Sequence, residues 1–223
     1  MTPEQALIVG ASGGIGAALS EELRRRGVAV TGLSRSRDGL DITNENAVQA
    51  RLAALEGPFD LVFVATGALE IDDHGPEKSL RQLDPRAMMA QFAVNCIGPA
   101  LVLKHVLPLI PRDRRAVFAA LSARVGSIGD NRLGGWYSYR TAKAALNQML
   151  HGAAVELGRS HRQAIVAALH PGTVETPLTA RYAGDHPTVT PQQAARRLVD
   201  VVEGLRPEQS GGFFDYAGRE IPW

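Results

Sequence analysis

Tyr139 and Lys143 are the residues whose types and spacing point most directly to chemistry. They lie four positions apart in Tyr139-Arg140-Thr141-Ala142-Lys143, so on a helix they would share one face, about one turn from each other. A free tyrosine has a pKa of about 10, and a nearby ammonium favours its phenolate form. The pair predicts a tyrosine that donates or accepts a proton, with Lys143 lowering its pKa. Such pairs are common on helices, so this interpretation depends on the other motifs.

A glycine-rich turn near the N-terminus is predicted to bind phosphate groups. It follows the apolar run Leu7–Val9 and contains Gly10, Ser12, Gly14, Ile15 and Gly16. Gly10 permits a sharp bend, Gly14 lets the backbone approach a pyrophosphate, and Gly16 lets the next helix pack closely. The spacing Gly-x-x-x-Gly-x-Gly differs from the Gly-x-Gly-x-x-Gly fingerprint, and a plain strand-to-helix turn is the alternative. Its place after the first strand favours a dinucleotide site.

The end of the second predicted strand indicates which dinucleotide is preferred. Arg35 and Arg37 stand where an acidic residue would bond the 2′-hydroxyl of NAD. Because the planar fork of arginine suits a 2′-phosphate, NADP(H) is favoured and NAD remains possible. The alternative, that both arginines only solvate a loop, applies more to Arg37 than to Arg35. Asp38 and Asp41 weaken the inference, and Asp41 could reach the adenine amine.

Short apolar runs alternate with helical stretches along the whole chain. The predicted strands are Ala6 to Val9, Val28 to Leu33, Phe59 to Ala65, Ala116 to Leu121 and Ala164 to Leu169. This rhythm is typical of a parallel sheet covered on both faces. We expect one α/β domain over residues 1–223, a Rossmann-type, doubly wound parallel sheet with helices on both faces.

Composition narrows the possible partners of the protein. A formal net charge of +1 over 223 residues gives no basic stripe for nucleic acid. Cys96 is the only cysteine and the histidines lack paired ligand spacing, so neither a disulfide nor a metal site is predicted. The start of the chain lacks the pattern of a secretory signal, and the apolar run from Ile97 to Ile110 is shorter than the roughly 20 residues that span a bilayer. We expect a cytoplasmic protein that neither enters a membrane nor binds nucleic acid.

Four motifs in this order resemble the short-chain dehydrogenase/reductase family across essentially the whole chain. They are the Gly10 to Gly16 loop, Asn95 in Val94-Asn95-Cys96-Ile97-Gly98, Tyr139 with Lys143, and Pro171-Gly172-Thr173-Val174-Glu175-Thr176. The segments around Ser122 and Trp136 and the C-terminal residues are similar to the C-factor-type subgroup, itself similar to Sniffer-type carbonyl reductases. The resemblance implies hydride transfer between NADP(H) and a small carbonyl or alcohol substrate.

The resemblance also assigns roles to individual residues. Tyr139 would be the general acid in reduction and the general base in oxidation. Lys143 would also bind the nicotinamide ribose, and Asn95 would hold a relay water, although Asn95 could equally serve to satisfy backbone groups. Pro171, Val174 and Thr176 would contact the nicotinamide end and the phosphates. Helices of this family form subunit interfaces, so we expect a homodimer or homotetramer.

Two departures from the family pattern leave alternatives open. The serine that orients the substrate is replaced by Ala123, so Ser122 is our candidate, with Ser127 or a weakened substrate hydrogen bond as alternatives. A short substrate lid is predicted at about residues 177–190, with Arg181, Tyr182 and His186 near the entrance, or this segment is only a solvated loop. The missing serine also keeps open a different function, that of a catalytically weak NAD(P)-binding protein that senses redox state or signals.

Overall fold

A computed structural model describes residues 2–177, 179–182 and 187–223 of the chain. His186, predicted at the lid, lies outside these ranges. Within them the strands form one parallel sheet of six strands in the order β2-β1-β3-β4-β5-β6. The strands are β1 Gln5–Val9, β2 Ala29–Leu33, β3 Leu61–Val64, β4 Ala116–Leu121, β5 Ala164–His170 and β6 Phe213–Asp215.

Seven α-helices are found in the described part of the chain. They are α1 Gly14–Arg25, α2 Arg35–Asp38, α3 Glu45–Ala53, α4 Pro85–Phe92, α5 Gly98–Val106, α6 Tyr137–Leu157 and α7 Pro191–Gly204. A π-helical turn, Ala93–Ile97, joins α4 directly to α5. The starts of α4 and α7 follow from their sequences, because Asp84 and Thr190 each cap a helix whose first residue is proline.

The helices cover both faces of the sheet, which confirms the predicted fold class. Leu19 of α1 and Leu198 of α7 pack in one core with Ile8 of β1. Val48 of α3 and Leu146 of α6 belong to a second core on the other face, together with residues of α5. Strands β3 and β4 are buried along their whole length and entirely apolar, as expected for a parallel sheet between two helical layers.

One feature of the fold differs from the sequence-based expectation. Strand β6 pairs with β5 but was not among the predicted strands, because its three residues are too few to show a pattern. The region after β2 forms only the four-residue helix α2, and β2 is an edge strand of the sheet.

The continuous helical stretch Pro85–Leu109 contradicts the expectation that no segment is long enough to span a bilayer. By length and composition alone its 25 residues pass that test, although this is weak evidence for a membrane segment. The apolar run from Ile97 is only part of this helix, which begins twelve residues earlier and includes single polar residues. In this fold the stretch packs against α3 and α6, and it carries the fully buried Asn95.

Candidate active site

The glycine loop between β1 and α1 is shaped by close backbone contacts. The amide groups of Gly10 and Ala11 both donate to the carbonyl of Leu33 at the end of β2, at 2.8 and 3.0 Å. Gly10 has a φ of +90°, a conformation that favours glycine. A Cβ atom on Gly16 would lie 2.2 Å from the carbonyl oxygen of Gly10. In this conformation the loop has no room for a side chain at position 16.

The first turn of α1 is open to an anion. Gly13, the N-cap residue, has no side chain to accept from the helix, and the first turn contains no acidic residue. Helix N-terminal amide groups without protein partners, together with the positive end of the helix dipole, favour a phosphate. Ser12 is exposed beside this turn, whereas Ile15 is half-buried against the core below α1.

Two threonines, Thr66 and Thr176, border the glycine loop on opposite sides. A Cβ atom on Gly14 would lie 3.0 Å from Cγ2 of Thr176, so Thr176 borders the loop as predicted from the family motif. Thr66, which follows β3, approaches Gly10 from the other side, and its buried Oγ1 has no hydrogen-bond partner among the described residues. A buried hydroxyl without a partner is unusual in a native protein. The Thr66 hydroxyl and the first amide groups of α1 have no described protein acceptor, and the absence of side chains at Gly10 and Gly14 keeps the loop open. These features fit a dinucleotide.

Arg35 and Asp41 lie together beyond the end of β2. Arg35 is the first residue of α2 and is exposed, and no side-chain hydrogen bond of its guanidinium is found in the described part of the chain. Asp41 accepts from the hydroxyl and the amide of Thr43, which, with a smaller contribution from Arg35, lowers the pKa of its carboxyl group. Arg35 is thus free to bind an anion, while Asp41 is engaged in the turn before α3.

Tyr139 and Lys143 lie one turn apart near the start of α6, as the spacing predicted. Lys143 is 2% exposed, and its Nζ donates to the carbonyl of Leu121 at the end of β4, at 2.9 Å. The same nitrogen lies 5.8 Å from the ring centroid of Tyr139. Gly126 allows this approach, because a Cβ atom there would lie 2.9 Å from Cβ of Lys143.

Asn95 lies in the π-helical turn and is completely buried. Its side chain donates to the carbonyl of Ala68 at 2.9 Å and accepts from the amide of Ala68 at 3.2 Å. It also donates to Gln91 one turn earlier, and Gln91 donates to the carbonyl of Leu69. The amide groups of Asn95 and Gln91 thereby fix the loop after β3. Both Asn95 and Lys143 border Gly67 in this loop.

The ionisation of Tyr139 and Lys143 differs from the sequence-based expectation. Burial raises the pKa of Tyr139 above its usual value, so the expected lowering by Lys143 is wrong for the protein without cofactor. Burial lowers the pKa of Lys143 to about 7. Both shifts have the same physical cause, because a poorly solvated site disfavours the charged form of each group, the phenolate of Tyr139 and the ammonium of Lys143. At neutral pH Tyr139 therefore carries its proton.

The candidate serines are both engaged elsewhere. Ser122 is buried and its hydroxyl donates to Oδ1 of Asn147 on α6, at 2.6 Å. The hydroxyl of Ser127 donates to the carbonyl of Pro222. In this arrangement neither hydroxyl has its hydrogen available for a substrate oxygen, so the role of Ser122 stays a prediction that requires its bond to Asn147 to break.

The motif after β5 runs along the nucleotide loop. Pro171 and Thr176 are half-buried, while Val174 is 1% exposed and forms a bridge with Val189. The side chain of Val174 therefore packs inside the protein, and the predicted contact with a carboxamide would have to come from its backbone.

A cavity of about 370 Å³ opens beside Gly67, the residue that borders Lys143. Its lining residues are Gly67, Ala68, Leu69, Glu70, Pro177, Arg181 and Tyr182. One wall leads to Tyr139 through aromatic contacts. The ring of Trp136 meets the ring of Tyr139 edge-on at 6.3 Å between centroids, and that of Tyr182 at 5.6 Å. The hydroxyl of Tyr182 and the guanidinium of Arg181 both bond Glu70, which ties the described part of the predicted lid to the loop after β3.

Sequence reasoning missed three residues of this site. Gln91 precedes Asn95 by one helical turn, so the spacing of two amides on one helix face was a usable signal. Trp136 was named as part of a family segment, and only its ring contacts relate it to Tyr139. Glu77 contacts the start of α6 from a distant loop, and nothing in the local sequence indicates this.

A glycine loop that leads into an uncapped helix N-terminus, together with a tyrosine one turn from a buried lysine at the same end of a parallel sheet, is typical of a Rossmann-type oxidoreductase. A family model described as enoyl-(acyl carrier protein) reductase matches residues 10–203. The 1-hydroxy-2-glutathionyl-2-methyl-3-butene dehydrogenase of Rhodococcus sp. is 34% identical over 97% of this chain and 98% of its own length. The chain belongs to the short-chain dehydrogenase/reductase family, which confirms the resemblance seen in the four motifs.

Two further proteins are similar to this chain. The C-signal protein of Myxococcus xanthus is 33% identical over 75% of this chain and 94% of its own. The crystal structure of a short-chain dehydrogenase/reductase from Burkholderia multivorans with bound NADP has a TM-score of 0.82 and 25% identity, and the alignment covers 99% of this chain and 100% of that one.

Replacing Gly16 with alanine tests the shape of the nucleotide loop. The new Cβ would collide with the carbonyl of Gly10, so we expect Gly16→Ala to lose about 1–3 kcal/mol of unfolding free energy and to weaken NADPH binding. Gly152→Ala in α6 is the matched control, because open space surrounds position 152 and alanine favours a helix by about 0.5–1 kcal/mol. Denaturant unfolding and NADPH fluorescence titration measure both effects. Parent-like values for Gly16→Ala would contradict the close contact.

Proposed function

We propose that this protein is an NADP(H)-dependent carbonyl reductase or alcohol dehydrogenase in which Tyr139 transfers the proton. The observation that carries the proposal is the placement of Tyr139. It lies one helical turn from the buried Lys143, and its ring contacts Trp136, whose ring in turn contacts Tyr182 in the wall of the cavity. A bound nicotinamide cofactor would supply or accept the hydride.

The raised pKa of Tyr139 keeps the phenol in the protonated form that acts as the acid in a reduction. At neutral pH the phenol keeps its proton and can donate it to a carbonyl oxygen. Lys143, with a pKa of about 7, can hold or release a proton under the same conditions and can return one to Tyr139. Asn95 keeps the loop after β3 in place beside this pair, and its predicted relay water is part of the proposal.

The preference for NADP(H) over NAD(H) rests on Arg35. Its guanidinium is exposed beyond the end of β2, next to the nucleotide loop, and fits a 2′-phosphate. The NADP bound to the Burkholderia multivorans relative supports this choice. Asp41 would contact the adenine only after a change in its bonds to Thr43.

The substrate we propose is a small carbonyl or alcohol with an apolar portion. Tyr182, which Trp136 contacts from behind, gives the cavity an aromatic wall, and Arg181 and Glu70 place charges at its lining. The Rhodococcus relative is named as the dehydrogenase of an alcohol that carries a glutathionyl group, which supports an alcohol or carbonyl compound as substrate.

Location and assembly are part of the same proposal. We place the protein in the cytoplasm, in agreement with its lone cysteine. We also propose a homodimer or homotetramer, supported by Met89 of α4, Ile97 of the π turn and Val155 of α6, which are 63%, 49% and 56% exposed. One domain over residues 1–223, with a lid at about 177–190, completes the assignment.

One observation favours the alternative of a catalytically weak nucleotide-binding protein. Ala123 replaces the usual serine, and the hydroxyl of the neighbouring Ser122 is bonded to Asn147. A site without a second donor would hold a substrate carbonyl poorly. Binding of nucleotide could then serve to sense redox state or to signal, and the similarity to C-signal supports this reading.

Turnover by a Tyr139→Phe variant separates the two functions. We expect the parent to reduce some members of a panel of aldehydes, ketones and quinones with NADPH. Loss of the phenolic proton should lower kcat by at least about 100-fold and leave NADPH affinity unchanged. Tyr137→Phe, two residues earlier in α6, is the control and should resemble the parent. Binding of NADPH without turnover of any compound by the parent would favour the alternative.

An Arg35→Ala variant tests the cofactor preference. Loss of a charge-assisted bond to the 2′-phosphate should raise the Kd for NADPH by about 10-fold or more, with little change for NADH. Arg37→Ala, two positions later on the same exposed helix, should have a smaller effect. Equal affinity of the parent for both nucleotides would refute the preference.

A further inference from the structure

The helix that carries Tyr139 begins without a cap of its own. Trp136 precedes the first residue of α6 with a φ of 52° and a ψ of 39°, and it provides no side-chain acceptor to the helix. This left-handed conformation is unusual for a bulky residue. The first amide groups of a helix normally bond a side chain at the N-cap position, so the start of a 21-residue helix needs an acceptor from elsewhere.

Glu77 supplies that acceptor from a loop 61 positions earlier. One carboxylate oxygen accepts from the amide of Ser138 at 3.2 Å, and the other accepts from the hydroxyl of Ser138. The backbone carbonyl of Glu77 accepts from the amide of Trp136 at 2.5 Å. A single distant residue therefore holds both residues that flank the helix start.

The environment of Glu77 makes these bonds strong. Glu77 is 7% exposed, and no Lys, Arg or His forms an ion pair with it within the part of the chain that the structure describes. A buried carboxylate requires hydrogen-bond donors, and here the donors lie at the positive end of the α6 dipole. Loss of the carboxylate would leave the amide of Ser138 buried without a partner.

We propose that Glu77 is a positioning residue for Tyr139. Tyr139 follows Ser138 directly, and the ring of Trp136 contacts both Tyr139 and Tyr182. By fixing Ser138 and Trp136, Glu77 sets the position of the phenol and of the aromatic wall of the cavity. The inference rests on the proposed function, since it concerns the residue that transfers the proton.

Kinetics of Glu77 variants provide the first test. Displacement of a catalytic group by about 1 Å can cost about 100-fold in rate, so Glu77→Ala should lower kcat between about 10- and 100-fold. The Kd for NADPH should not change, because Glu77 makes no contact with the Gly10 to Gly16 loop among the bonds described. Glu77→Gln, which keeps one oxygen acceptor, should recover part of the rate. Ser138→Ala should lower kcat as well and add little in the Glu77→Ala background.

Asp60→Asn is the matched control for a general loss of stability. Asp60 is also a buried carboxylate that accepts from backbone amides, those of Glu4 and Gln5, and in addition from the guanidinium of Arg114, but it lies before β3, at the amino ends of the strands and away from Tyr139. We expect Asp60→Asn to lower the melting temperature and to leave kcat unchanged. If Glu77→Ala also loses only stability and keeps the parent kcat, the proposal is wrong.

Hydrogen exchange gives a readout that does not need activity. Glu77→Ala should speed exchange of the amides in residues 136–141 at least about 10-fold, because the loss of a buried charged hydrogen bond exceeds about 1.4 kcal/mol. Asp60→Asn should not change this segment. If the parent reduces no carbonyl compound, the proposed function fails and exchange alone decides whether Glu77 holds the helix start. Parent-like exchange in Glu77→Ala would overturn the proposal in either case.

Discussion

The ammonium nitrogen of Lys143 lies inside the protein, where an isolated charge is costly, and the active site is arranged around this group. Its one described hydrogen bond goes to the carbonyl of Leu121 at the end of β4. The loop after β3 and the amide of Asn95 lie on its other side, at Gly67. Poor solvation lowers its pKa to about 7, so the amine can gain or lose a proton near neutral pH. Three elements of the fold thus converge on a group that can change its charge.

The rest of the site follows from keeping this lysine and its tyrosine at fixed positions. Gly126 lets α6 pack close to the turn after β4, and the hydrogen bonds of Gln91 and Asn95 hold the loop after β3. On the other side of the loop after β3, the glycine loop borders Thr66 and leaves the first turn of α1 uncapped for a phosphate. Because all of these groups lie at the carboxyl ends of the parallel strands, one edge of the sheet holds both the nucleotide loop and the proton-transfer pair.

Features with a local cause could be predicted from the sequence. The strands β1, β3, β4 and β5 are continuous apolar runs, and the pairing of Tyr139 with Lys143 follows from helical spacing alone. Strand β6 is too short to show a pattern, and the bond between Glu77 and Ser138 joins residues far apart in the chain. The direction of the pKa shift of Tyr139 was also wrongly expected, because burial, which causes the shift, depends on the tertiary structure.

The most direct test of this account is the ionisation of Lys143, followed by NMR of its side-chain nitrogen. The chain has only three lysines, Lys78, Lys104 and Lys143, so a Lys143→Arg variant assigns the signal. We predict a pKa of about 7 in the nucleotide-free protein and a rise on addition of NADPH, whose ribose hydroxyls would accept hydrogen bonds from the charged amine. An ordinary pKa of about 10.4 in the nucleotide-free protein would show that the amine is solvated and would contradict the central claim.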